Sequence, residues 1–156
     1  YQLGHELNDW FGREVIPEAI FTIKPSAELS DNQAVDKGLG DPLIYEYHDY
    51  LLKSFIEPWN RACPEDLLRW YTEGTLNEHI GTSVDAYSLF PTPSAFIADL
   101  ERWWNLFSGL AVAKRIQSPP LLAISRRSYG YDLREAQISP YYTDAYLKLK
   151  QEVLGK

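Results

Sequence analysis

Residues 92–117, TPSAFIADLERWWNLFSGLAVAKRIQ, constrain the fold more than any other stretch of the chain. Phe96, Leu100, Trp103, Phe107 and Leu110 recur at three- and four-residue spacing, the period of one helical face. Ile97, Trp104 and Ala111 lie beside that stripe, so the helix is apolar over much of its girth and predicts a central position with other helices around it. Thr92 is a good N-cap and Pro93 suits the first helical position, while Pro119-Pro120 stops the run.

The remaining segments supply partners for such a helix. Leu3, Leu7, Trp10, Phe11 and Val15 predict a short opening helix, weakened by Gly12 and limited by Pro17. In EAIFTIKP, Ala19, Phe21 and Ile23 alternate, which predicts a short strand or extended arm. Residues 25–41 are polar and turn-rich and read as a mobile loop. Asp41 as N-cap and Pro42 at the first position open the next helix, with Ile44, His48, Leu51 and Phe55 on its stripe, widened by Tyr47 and Tyr50. Pro58 ends it near Glu57.

A further start follows at CPEDLLRWY, where Pro64 precedes Glu65 and Asp66 in the first turn and Gly74 closes the helix. TLNEHIG adds a turn before Gly81. LLAIS, residues 121–125, is a short strand or a buried crossing, and Ser139-Pro140 opens a last helix with Tyr142, Ala145 or Tyr146, Leu149 and Val153 on one face. The expected fold is mainly α: a single compact domain over residues 1–156 with about five helices and at most a short strand pair, an α+β arrangement being the alternative.

Composition supports a stable core. The chain has 156 residues, and five Trp, eleven Tyr and six Phe supply much burial per residue. Cys63 is the single cysteine, so no intrachain disulfide can form; with no Asn-x-Ser/Thr site, a reducing, cytoplasmic setting is expected. No apolar run is long enough to span a bilayer and no secretory leader is evident, so no membrane partner is expected. The absence of methionine predicts a trimmed or excised chain.

Charge is polarised. Residues 1–80 carry six Lys/Arg and fifteen Asp/Glu, a net of −9, whereas residues 81–156 carry nine and seven, a net of +2. Between positions 114 and 134, Lys114, Arg115, Arg126, Arg127 and Arg134 face one acid, Asp132, and Tyr129 and Tyr131 flank Gly130. Arginine's planar fork suits carboxylates and phosphates, and tyrosine adds a ring face and a hydroxyl. The plainer use of these arginines is to neutralise the chain's own acidic half. The functional use is a partner- or anion-binding surface made of Lys114, Arg115, Arg126, Arg127, Tyr129, Tyr131 and Arg134.

Catalytic signatures are sparse. There is no CxxC, HExxH, GxSxG, Walker lysine loop or EF-hand loop, and GLG at 38–40 reads as a turn. Glu46 and Asp49 have helical ligand spacing, but His48 falls on the apolar stripe and reads as a buried, hydrogen-bonded histidine. Cys63 reads as a small residue at a helix entrance, not as a partner of His5 or His79. No catalytic residue, metal or cofactor is assigned, and the reading leans away from an enzyme. The sequence predicts a small acidic protein-interaction or regulatory domain (adaptor, inhibitor or assembly subunit) with a protein partner. The alternative is anion or nucleic-acid binding through 114–134, and a metal-dependent hydrolase or nuclease is the least favoured reading.

Overall fold

The computed structural model describes residues 1–28, 30–56, 61–110 and 141–155. The fold is mainly helical, with eight α-helices and no strand among the described residues. Five of them have ten residues or more: α1 (Gln2–Phe11), α3 (Tyr45–Ile56), α4 (Pro64–Glu73), α7 (Pro93–Asn105) and α8 (Asp144–Leu154). Three are short: α2 (Glu18–Thr22), α5 (Leu76–Ile80) and α6 (Ala86–Leu89). By its contacts the chain forms two compact units, Tyr1–Ile44 and Tyr45–Lys156.

The first unit is built by local polar closure. The Asn8 side chain accepts from the backbone N–H of Val15 and Ile16 and donates to the Ile16 carbonyl, so the chain after α1 folds back on it. The segment read as a strand is instead α2. Pro17 supplies its N-cap, the Glu14 carboxylate accepts from the Glu18 N–H, and Phe21 turns onto Gly4. Three alternating apolar residues fit a single helical turn as well as a strand, and the local cap decided the outcome.

Residues 25–41 close on themselves through two 3₁₀ turns, Asp31–Gln33 and Val35–Lys37. Ser26 Oγ donates to the Gln33 carbonyl, and Lys24 Nζ to the Gly38 carbonyl. Asp41 does not cap α3. Its carboxylate accepts from Ala27 N–H and Gln33 Nε2 and holds the loop, so α3 starts later, at Tyr45.

The second unit holds the core. Tyr47, Leu51 and Phe55 of α3, Leu67, Leu68 and Tyr71 of α4, Phe96, Ile97, Leu100 and Trp103 of α7 and Tyr146 of α8 are buried. Helix α4 packs on α5, α7 and α8, and α7 also packs on α8. Among the described helices α4 thus has the most neighbours, while α7, expected at the centre, gives the core Phe96, Ile97, Leu100 and Trp103, with Thr92 Oγ1 accepting from the Ala95 N–H at 3.2 Å. After Asn105 the ladder widens into one π-helical stretch, Leu106–Leu110. The Tyr71 and Phe96 rings stack at 4.2 Å and 5°, a pair worth about 1 kcal/mol beyond its buried area.

Both expected starts around α4 and α5 stand: Pro64 leads α4, and Gly74 and Gly81 close the two helices with φ of 78° and 77°. The last helix begins later than expected. Thr143 Oγ1 accepts from the Tyr146 N–H, which places the cap after Tyr142, and Tyr146 rather than Ala145 faces the core.

Candidate functional site

Helices α3 and α7 bring together the one buried acid–base pair among the described residues. His48 Nε2 lies 3.2 Å from Asp99 Oδ2 and 3.3 Å from Oδ1, and the two side chains are 6% and 14% exposed. The ring is held from both sides, against Trp103 at 4.6 Å and edge-on to Tyr47 at 5.1 Å. The carboxylate and the two rings together fix the orientation of the imidazole. The arrangement anchors α3 to α7 from inside the core. His48 is thus the buried, bonded histidine that its place on the apolar stripe predicts.

Two donors beside this pair have no hydrogen-bond partner among the described residues, Tyr47 Oη and Trp103 Nε1. Tyr47 is fully buried, and its phenol is pushed far above the ordinary value, first by burial and then by the charges of Asp99 and Tyr71. Asp99 could have been found in the sequence. It lies three residues after Phe96 and four before Trp103, so it shares their buried flank, and an acid there calls for a partner.

Cys63, His5 and His79 each make a local contact. Cys63 precedes Pro64, and Asp66 reaches back to accept from its N–H at 3.1 Å and from its thiol at 3.0 Å. Burial, then the hydrogen bond to Asp66, pushes the thiol up, which suppresses the thiolate that a nucleophile requires. His5 stacks on Phe21 at 4.0 Å and His79 on Trp70 at 4.2 Å. The Glu46 and Asp49 side chains are exposed, and no group of three or more His, Cys, Asp or Glu that could hold a metal converges among the described residues.

A polar seam ties α8 to the core. Tyr146 Oη and Lys150 Nζ both donate to Glu101 Oε1, at 3.0 and 2.5 Å, and Tyr142 Oη donates to Asn105 Oδ1 at 3.0 Å. Burial and the Glu101 charge push the Tyr142 phenol up to about 12.

Lys114, Arg115, Arg126, Arg127, Tyr129, Tyr131 and Arg134, the expected partner- or anion-binding set, lie outside the described residues, as does the expected strand at 121–125. No helix among the described residues is long and apolar enough to cross a membrane.

Over 57 residues the chain is 40% identical to a glutamine-dependent NAD(+) synthetase from Thermotoga maritima. The matched stretch is 36% of this chain and 9% of that protein, so the chain spans only a small part of the relative's length. No family model and no solved structure matches the chain.

Proposed function

We propose that this chain is a helical part of an enzyme of the glutamine-dependent NAD(+) synthetase type, and that it binds the anionic dinucleotide through residues 114–134. The 40% identity over 57 residues carries the reading. The chemistry of the segment agrees with it. NAD(+) is a pyrophosphate flanked by two aromatic bases, and the segment sets five basic side chains beside two tyrosines in a protein of net charge −7. Cytoplasmic action fits a chain whose single cysteine is a free thiol.

Thermal melts with NAD(+) and with a short single-stranded oligonucleotide, at 50 and 250 mM salt, test this. A dinucleotide site gives a melting shift with NAD(+) that a nucleotide-length ligand saturates. A shift confined to the oligonucleotide, erased by salt, would assign the segment to nucleic acid instead. No shift with either ligand would overturn the reading.

A second proposal, an interaction or assembly role with a protein partner, is favoured by a separate observation. The apolar stripe of α1 lies open to solvent, with Trp10 81% and Leu3 74% exposed.

A further inference from the structure

Helix α1 packs on its own unit through the flank that is not apolar. Gly4 sits so close to Phe21 that a Cβ there would lie 2.5 Å from its ring, His5 stacks on the same ring, and Asn8 holds residues 15 and 16. Helical spacing puts Leu3, Leu7, Trp10 and Phe11 on one adjoining stripe. Leu7 is half-buried; Phe11 is 57% exposed, and Leu3 and Trp10 more so. Gly4 is the one buried residue of the helix. Within its own unit the helix turns its polar side inward and leaves its apolar stripe uncovered.

Size and charge narrow the partner. At ~150–250 Å² for a large side chain, the stripe exposes roughly 400 Å² of apolar surface. A stable interface buries about 800 Å² on each side, so the stripe makes up the apolar centre of a contact with a polar rim, as where one helix lies in a groove. Its anchors at i, i+4, i+7 and i+8 have the spacing of such helices. Helical spacing sets exposed Glu6 on the edge of the stripe, and Asp9, Glu14 and Glu18 are exposed elsewhere in the same unit. Residues 1–44 hold three Lys/Arg and eight Asp/Glu, a net of 3 − 8 = −5. Two copies meeting here would bring two such acidic units together.

We propose that the Leu3–Leu7–Trp10–Phe11 stripe is a docking helix for a protein partner presenting an apolar groove with a basic rim. This rests on the interaction reading above and names the surface and the chemistry of its partner. The dinucleotide reading is independent of it.

The test uses two synthetic helical hairpins with the same leucine-lined groove, one rimmed by lysines and one by glutamates, titrated into the protein by fluorescence anisotropy. The lysine-rimmed hairpin binds at least ten-fold more tightly at 50 mM salt, and the preference shrinks at 500 mM. Replacing Leu3→Ser together with Phe11→Ser lowers its affinity at least ten-fold with an unchanged helical circular dichroism spectrum. Glu6→Lys narrows the preference between the two rims.

If neither hairpin binds, or the double serine variant binds like wild type, the stripe is no docking surface and the interaction reading loses its support. Equal binding of the two hairpins would keep that reading and overturn the partner chemistry proposed here. Sedimentation showing a dimer that the double serine variant dissociates would overturn the proposal in favour of a second copy.

Discussion

Removing the Tyr47 hydroxyl should stabilise the protein, although Tyr47 lies at the centre of the core. The side chain is fully buried and its Oη has no hydrogen-bond partner among the described residues. A buried hydroxyl without a partner costs about 1–3 kcal/mol relative to its hydration in the unfolded chain. Phenylalanine keeps the ring and its contacts with His48 and Phe90, at 5.1 and 5.2 Å, and discards only the orphan donor. Tyr47→Phe is therefore expected to gain ~1–2 kcal/mol. For a chain of this length that raises Tm by roughly 2–8 °C.

The control is Tyr71→Phe, also buried, whose hydroxyl donates to the Phe90 carbonyl at 2.6 Å. Its loss leaves that carbonyl without this donor and costs about 1–2 kcal/mol. Urea unfolding followed by circular dichroism gives both values at constant m. The two substitutions must differ in sign. A Tyr47→Phe variant as destabilised as Tyr71→Phe would show that Oη has a partner, and the description of the His48–Asp99 surroundings would be wrong.

Alkaline titration offers a second check. Burial raises the phenols of Tyr47, Tyr71, Tyr142 and Tyr146, with Tyr142 near 12. A raised folded pKa means that the native state keeps its proton where the unfolded chain has lost it, so stability is full below about pH 10 and falls as pH climbs through 12. Absorbance at 295 nm should show two phases, the second coinciding with loss of helical signal; a single phase near pH 10 would contradict the burial. Gly4→Ala, which in an open helix gains up to ~1 kcal/mol, should here cost about 1–3 kcal/mol of local stability because Phe21 must move. Faster proteolysis between α1 and α2 reads that out, and slower cleavage would refute the packing. Cys63 should react with iodoacetamide at pH 8 several-fold more slowly than in urea, since burial and Asp66 raise its thiol; equal rates would exclude the Cys63–Asp66 contact.

Long, strongly periodic stretches were legible in the sequence, and short ones were not. The stripe from Phe96 to Trp103 and the caps at Thr92 and Gly74 predict α7 and α4 closely, because periodicity and end signals agree there. Helix α2 was hidden because five residues cannot separate a period of 2 from one of 3.6. Asp41 looked like a cap, yet its carboxylate reaches back to Ala27 and Gln33, a long-range choice that local pattern does not encode. The burial of His48 was readable from its stripe; its partner Asp99, 51 residues away, was readable only as an acid on a buried flank. The α1 stripe shows the limit most plainly, since periodicity marks an apolar face and leaves open what that face meets.

The most direct test of the dinucleotide reading is calorimetric titration of NAD(+) into wild type and into the Arg126→Ala/Arg127→Ala variant at 50 mM salt. The account predicts saturable binding to wild type, at least ten-fold weaker in the variant, with both proteins melting at the same temperature. Wild type that takes up no NAD(+), or a variant that binds it equally well, would contradict the assignment of this segment.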